Sequence, residues 1–94
     1  MSINIQHNTA ASRFEAMVDG QACVADYRLH NGVMTMTHTG VPAALEGRGI
    51  ASALVRVALD HARAHGLKVR PDCSYVATWM RRHPETLDLL ADAH

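Results

Sequence analysis

The sequence predicts a small α/β fold, an α+β layered arrangement in which helices cover one sheet. Its early part alternates apolar and polar residues in runs separated by Asp19-Gly20 and Asn31-Gly32, two favoured hairpin turns. After Pro42 the apolar residues recur at the three-and-four spacing of helices. The chain has 94 residues, too few for two cores that would each fold alone, so we expect one domain over residues 1–94.

Strands are predicted to come first. Residues 14–18, 22–29 and 33–40 have the alternation of an antiparallel, three-stranded meander. Residues 3–7 are a candidate edge strand, and residues 8–12 are a polar connector with no helical pattern. At most four strands therefore precede the first helix.

One helix and one further strand follow. Residues 47–65 are rich in Ala and Leu and carry an apolar stripe wide enough for a helix that lies on a sheet. Gly66 is a natural end for that helix. Residues 67–70 predict a short strand that ends at Pro71.

The last part of the chain predicts a second helix over residues 73–83. Asp72 is its candidate N-cap, and Pro84 lies just past its end. Residues 85–94 have the weak amphipathic pattern of a short docked helix. The predicted order is β-β-β(-β)-α-β-α, with a mostly antiparallel sheet and two main helices.

The charge pattern limits the partners. Nine Lys plus Arg balance nine Asp plus Glu, which argues against broad nucleic-acid binding. Residues 43–83 carry seven basic and three acidic groups, an excess that suits a small anionic ligand. Solvated helix faces are the alternative explanation of the same pattern.

No feature of the sequence predicts a membrane or secreted protein. No apolar stretch approaches the roughly 20 residues of a membrane span. The start lacks the basic and apolar regions of a secretory signal, and two Cys cannot form a disulfide framework. We therefore expect a reducing, cytoplasmic setting and no membrane partner.

The densest motif is Glu46-Gly47-Arg48-Gly49, at the passage from strand to helix. Two glycines let backbone N–H groups approach a ligand, and the unpaired N–H groups and positive dipole end of the new helix face the same point. This combination predicts a cradle for an anion or a pyrophosphate, with the Arg48 guanidinium as a further donor. The alternative is that the glycines only ease a turn into a helix. A dinucleotide fingerprint or P-loop is excluded, because Ser52 and the lack of Gly-Lys-Ser/Thr break those patterns.

A second cluster surrounds Cys73. A helix start favours thiolate, and Tyr75 offers a phenol donor to the same place. A buried, unreactive thiol is the alternative. Cys23, in the middle of a strand, is interpreted as packing.

Histidines are the remaining candidates for chemistry. His38, on the strand that enters the glycine motif, is a candidate proton acceptor near neutral pH, or else an outward-facing strand residue. His61 and His65 have the four-residue spacing of zinc ligands, but Ala62 replaces the Glu of the zinc-protease motif and no third ligand is evident. We therefore expect no metal.

Together these residues resemble the GNAT superfamily of acetyltransferases, whose signature is Gln/Arg-Xaa-Xaa-Gly-Xaa-Gly/Ala between a strand and a helix. Here that stretch is Glu46 to Ala51. The small, single-domain YjdJ-like subfamily is similar over nearly the whole chain. The shared features are Phe14-Glu, Tyr27-Arg28-Leu29, His38-Thr39, Val41-Pro42, Gly47 to Ala51, the run from Pro71 to Val76, and Arg82-His83-Pro84.

The resemblance implies a minimal GNAT-like fold, a curved sheet that opens beside the strand ending at Val41, with acetyl-CoA as cosubstrate in that opening. The implied cofactor-binding residues are Thr39, Gly40 and Val41 for the pantetheine arm and Gly47, Arg48, Gly49, Ile50 and Ala51 for the pyrophosphate. The acetyl group would point toward Cys73 and Tyr75.

The expected function is an acetyl-CoA-dependent N-acetyltransferase acting on an unknown amine. In direct transfer His38 is the candidate base and Tyr75 the donor to the departing thiolate. In a covalent route Cys73 accepts the acetyl group first. The residues leave both routes open. The alternative function is a non-catalytic acyl-CoA-binding or protein-interaction module.

Two departures from the family pattern bear on binding. Glu46 replaces the usual Gln or Arg and brings a negative charge to the pyrophosphate site. Larger members have two helices between their first strands, where this chain has only residues 8–12. We therefore expect lowered CoA affinity unless Glu46 points away, and an open acceptor site.

Overall fold

Five strands form one sheet in a computed structural model that describes residues 3–91. Their order across the sheet follows the chain: β1 (Gln6–Asn8), β2 (Arg13–Val18), β3 (Gln21–His30), β4 (Val33–Gly40) and β5 (Lys68–Pro71). The first three pairings are antiparallel and β4 pairs with β5 in parallel. The predicted α/β class and mostly antiparallel sheet are confirmed.

Two helices and two 3₁₀ segments complete the described chain: α1 (Ile50–Ala64), α2 (Ser74–Arg82), and the 3₁₀ segments Ala43–Leu45 and Pro84–Leu89. The helices cover one face of the sheet. The residues buried between them include Phe14, Ala25, Met34 and Met36 from the strands and Leu54, Val55, Ala58 and Met80 from the helices. No helix within residues 3–91 has both the length and the apolarity needed to cross a bilayer.

Several details differ from the prediction. The first helix begins at Ile50 rather than at residue 47, because residues 46–49 form a loop, and, apart from the edge strand and the last segment, the other helix and strand ends shift by at most one residue. The edge strand begins at Gln6 rather than at residue 3, because Ile3 and Ile5 pack against the core instead of pairing with β2. The N-cap of α2 is Cys73, and Asp72 does not cap it. The short helix predicted over residues 85–94 is the 3₁₀ segment Pro84–Leu89, and residues 92–94 of the predicted element lie outside the described part.

A β-bulge in β4 shapes the sheet beside α2. Tyr27 pairs with Met36 and Asp26 pairs with His38, so Thr37 between them has no partner on β3. The pairing of β4 with β5 stops at Met36 and Pro71, while β4 continues to Gly40. The two parallel strands therefore separate just where the bulge lies, and beyond it no strand within residues 3–91 pairs with this edge of β4.

Candidate functional site

A cavity of about 500 Å³ lies where β4 loses its pairing with β5. Its lining comes from several elements: Thr39 of β4 and Val41 just after it, Leu45 of the first 3₁₀ segment, Glu46, Gly47 and Gly49 of the loop that follows, Ile50 and Ala51 of α1, and Tyr75 of α2. The structure thus brings most of the predicted cofactor-binding residues and one predicted catalytic residue to a single cavity. Leu45 was missed from the sequence, because nothing in a lone Leu before a glycine turn marks it as lining a site.

The glycines prepare one wall of this cavity. Gly47 and Gly49 have φ of 83° and 79°, a left-handed conformation that favours glycine. Gly49 is the N-cap of α1, no side chain makes a cap hydrogen bond there, and the first turn holds no acidic residue. The N–H groups of that turn are therefore available to an anion, in the positive field of a 15-residue helix.

The two charged residues of the motif do not act together on the cavity. Glu46 lines it, whereas the Arg48 guanidinium pairs with Asp19 in the β2–β3 turn, Nη1 to Oδ2 at 2.9 Å. The Arg48 guanidinium, which was predicted to bind the anion, therefore points away from the cavity in this structure. Only the backbone of Arg48 lies beside it.

Cys73 is held against β4 at two points. Its N–H donates to the Met36 carbonyl at 2.9 Å, and its sulfur lies 3.7 Å from the Thr39 hydroxyl oxygen. Burial acts to raise the pKa of the Cys73 thiol, but hydrogen bonding by the Val76 amide, the Thr39 hydroxyl and further backbone amides outweighs it and lowers that pKa. Cys73 does not itself line the cavity; it lies next to Thr39, which does. Cys23 is fully buried, as predicted for a packing residue.

Tyr75 is positioned as a proton donor. It stands in the first turn of α2, lines the cavity and is 40% exposed. Burial raises the pKa of its phenol, and the nearby Arg82 charge opposes that shift. The phenol therefore keeps its proton at neutral pH.

His38 lies away from the cavity. It pairs with Asp26 across β3, while its neighbour Thr39 pairs with the buried Ala25. Residues directly opposite in a ladder share a face, so His38 is on the exposed face of the sheet and Thr39 is on the helix-covered face. The structure does not bring His38 together with Tyr75, and any part it has in catalysis must be exerted from the exposed face.

Gly40 shares that exposed face. A Cβ built on it would lie 2.9 Å from His38 Nε2, so the absence of a side chain at Gly40 makes room for the imidazole. Gly40 does not line the cavity. Its predicted contact with the pantetheine arm would have to be made by its backbone.

A second cleft of about 490 Å³ adjoins the first at Tyr75. Besides Tyr75, its lining consists of three hydroxyl side chains, one guanidinium and two rings that stack on each other: Ser52, Ser74, Thr78, Arg82, Trp79 and His83. Trp79 Nε1–H donates to Ser52 Oγ at 2.8 Å, which ties α2 to the first turn of α1. In the sequence, Arg82-His83 was recognisable only as a feature shared with a family, and no pattern indicated this cleft.

His61 of α1 and His65 just after it, the pair with the spacing of zinc ligands, contact each other. The rings of His61 and His65 stack with centroids 4.1 Å apart, and His65 Nδ1 is 2.9 Å from the His61 carbonyl. Within the described residues no three His, Cys, Asp or Glu side chains are grouped to hold an ion.

Comparison with known proteins identifies the class to which this fold and cavity belong. The model of the GCN5-related N-acetyl-transferases matches residues 13–89, so the chain belongs to that family. It is 28% identical over 86 residues to Protein NATD1 of Xenopus tropicalis, covering 88% of this chain and 79% of that protein. It is likewise 28% identical over 85 residues to Protein NATD1 of Homo sapiens, covering 87% of this chain and 75% of that protein.

A solved structure shows the same fold. The solution NMR structure of a GCN5-like protein from Staphylococcus aureus superposes with a TM-score of 0.76 at 23% sequence identity. The match covers 97% of this chain and 90% of that one. The predicted GNAT superfamily membership and GNAT-like fold are confirmed.

Proposed function

We propose that this protein transfers an acetyl group from acetyl-CoA to an amine, and that acetyl-CoA binds in the cavity between β4, the glycine loop (residues 46–49) and α2. One observation carries the proposal. The first cavity has a cradle of N–H groups at one wall and, at another, Tyr75, which stands two residues after Cys73. A ligand with an anionic group and a reactive thioester matches that arrangement.

The binding mode follows from the free backbone groups. The diphosphate rests on the N–H groups from Gly47 to Ala51 at the start of α1. The pantetheine arm runs beside Thr39 to Val41, where β4 has lost its partner strand and needs hydrogen bonds. No metal takes part in this scheme.

In the covalent route, the Cys73 thiolate attacks the carbonyl carbon of the thioester. A new carbon–sulfur bond forms, the bond to CoA breaks, and the CoA thiolate leaves and takes a proton from the Tyr75 phenol, which solvent reprotonates. An amine then attacks the acetyl-cysteine, the carbon–nitrogen bond forms, the Cys73 thiolate is released and the amine loses a proton to solvent. In the direct route the amine attacks the carbonyl carbon of acetyl-CoA itself: the carbon–nitrogen bond forms, the thioester carbon–sulfur bond breaks, the CoA thiolate takes a proton from the Tyr75 phenol, and the amine loses a proton to solvent.

The acceptor is proposed to be a protein, a peptide or a loosely held small amine. Between β1 and β2 the described chain has only a turn at residues 9–12, so nothing there walls off a narrow acceptor pocket. Both cysteines are free thiols, and we place the activity in a reducing cytoplasm.

Calorimetric titration with CoA and acetyl-CoA, followed by an assay for transfer to a panel of amines, tests the proposal. Ligand at about 100 times its dissociation constant is expected to add about 2.7 kcal/mol to stability, which thermal unfolding detects independently. Binding without transfer to any amine would favour a non-catalytic acyl-CoA-binding module. No binding at all would leave a protein-interaction module.

A further inference from the structure

The β-bulge at Thr37 decides which side chain of β4 faces Cys73. Met34 and Met36 point into the core, so strict alternation would aim His38 inward and Thr39 outward. Because Thr37 is inserted without a partner on β3, the alternation is reversed beyond it and Thr39 faces α2. The bulge therefore brings the Thr39 hydroxyl, rather than an imidazole, to the sulfur.

We propose that Thr39 is a positioning residue for Cys73. The Thr39 hydroxyl holds the Cys73 sulfur in place and stabilises its thiolate form, which is the form that attacks the thioester. This inference rests on the proposed function in its covalent form. The 3.7 Å distance joins the Thr39 oxygen to the Cys73 sulfur, and the Met36 carbonyl, on the other side of the bulge, accepts from the Cys73 N–H. Backbone and side chain of Cys73 are thus fixed to β4 on both sides of Thr37.

The role of the hydroxyl depends on the protonation state of the sulfur. With the neutral thiol either atom can donate, whereas a thiolate can only accept. When the thiol proton leaves to solvent, the Thr39 O–H turns to donate to the sulfur and keeps its own proton. The hydrogen bond to the thiolate is charge-assisted and therefore stronger than the one to the neutral thiol, so it favours the charged form, in agreement with the lowered pKa of Cys73.

The ionisable groups around this pair are His38 and Asp72, which precede Thr39 and Cys73 in the chain, and Tyr75 and Glu46, which line the same cavity as Thr39. Replacement of Thr39 changes none of them. A change in the titration of Cys73 would therefore report the hydroxyl.

The test measures how the rate of Cys73 alkylation by iodoacetamide depends on pH. Alkylation is monitored by the intact mass of the full chain, without acetyl-CoA. Thr39→Val, which keeps the side-chain shape and removes the hydroxyl, is expected to move the midpoint of the pH profile upward and to lower the alkylation rate at pH values below that midpoint about threefold to tenfold. Thr39→Ser is expected to retain the wild-type profile. Thr37→Val is the matched control, because its hydroxyl contacts the Asp26 carbonyl and not the sulfur. Buried Cys23 should remain unlabelled throughout.

An unchanged profile in Thr39→Val would overturn the inference, and so would an equal shift in Thr37→Val. Should Thr39→Val fail to fold by circular dichroism, Thr39→Ala gives the same comparison. The result does not depend on CoA binding or on transfer. A shifted profile together with no transfer would therefore refute the proposed function while still showing that the Thr39 hydroxyl stabilises the Cys73 thiolate.

Discussion

The guanidinium of Arg48 pairs with the carboxylate of Asp19, Nη1 to Oδ2 at 2.9 Å, and so links the glycine loop to the β2–β3 turn. The side chains are 40% and 62% exposed, and exposed pairs of this kind contribute at most about 1 kcal/mol. A diphosphate at the start of α1 carries more charge than one carboxylate. Bound ligand is therefore able to compete with Asp19 for this arginine.

Asp19→Asn is expected to raise CoA affinity a few fold at low ionic strength, because Arg48 no longer has a competing partner. The gain should shrink in high salt, where exposed charges are screened. Calorimetric titration at two salt concentrations measures it. Asp60→Asn, an equal charge change on α1 away from the loop, should leave affinity unchanged; equal affinity of Asp19→Asn and the wild type would contradict the competition.

Glu46→Gln is also expected to strengthen CoA binding. Glu46 lines the cavity beside the cradle, and removal of a like charge near a diphosphate should contribute roughly 0.3–1 kcal/mol at an exposed site. Calorimetry at low ionic strength is the measurement, with Glu15→Gln on β2 as control. Weaker binding by Glu46→Gln would show that this carboxylate has a positive role.

Gly49→Val should abolish or strongly weaken CoA binding. A Cβ at Gly49 meets no protein atom within 4 Å, so a branched side chain there would project into open space at the cradle. Its φ of 79° also strains any side chain. Gly66→Val is the matched control, since Gly66 has φ of 67°, the same open surroundings, and lies beyond the far end of α1.

Both variants are expected to lose stability through backbone strain, and only Gly49→Val to lose CoA binding. Circular dichroism must accompany the titrations, so that the comparison is made between folded proteins. Unchanged affinity of a folded Gly49→Val would remove the cradle from the proposal.

The fold was predictable because its signals are local. Asn31-Gly32 and Asp19-Gly20 mark the hairpins, and Asp19 and Asn31 do adopt positive φ. The change of apolar spacing after Pro42 likewise indicated α1. These features depend on neighbours in the chain, which the sequence displays directly.

The side-chain directions at the site were not predictable, because they depend on distant partners. The bulge at Thr37 arises from the register of β3 against β4, and it alone reverses the faces of His38 and Thr39. Arg48 was interpreted as a ligand for phosphate, yet its partner, Asp19, lies 29 residues earlier. No spacing in the sequence encodes either relationship.

Acid is expected to destabilise the fold through a histidine cluster at the end of α1. His7 and His61 have ring centroids 4.5 Å apart, and His7 Nε2 is 2.6 Å from the Tyr27 hydroxyl. Burial lowers the pKa of both histidines, and the neighbouring His65 charge lowers both further.

The direction of the pH effect on stability follows from the number of protons that the native and the unfolded state bind. A histidine whose pKa falls below the ordinary 6.5 on folding binds fewer protons in the native state than in the unfolded chain. The free energy of unfolding is therefore unaffected by these histidines above pH 6.5, and it decreases as the pH falls below that value because the unfolded chain takes up more protons. Thermal unfolding at pH 7.5 and pH 5 measures the loss, and His61→Leu should flatten the curve whereas replacement of exposed His30 by Gln should not. Equal slopes for the wild type and His61→Leu would contradict this account.

Cys73 separates the two routes of transfer. If the covalent route operates, incubation with acetyl-CoA and no amine should add one acetyl mass to Cys73, found by intact mass and peptide mapping. Cys23 is an internal control because it is 0% exposed and should stay unmodified.

Cys73→Ser should keep CoA binding, since Ser is nearly isosteric with Cys. In the covalent route it should lose transfer activity by a large factor, because a hydroxyl without an activating base is a far weaker nucleophile. Cys73→Ala decides the matter: transfer at the wild-type rate would exclude the covalent route and leave direct attack, with Tyr75 as proton donor and His38 confined to the exposed face. Absence of the adduct is the weaker of the two criteria, because an acetyl-cysteine that water hydrolyses as fast as it forms would not accumulate even in the covalent route.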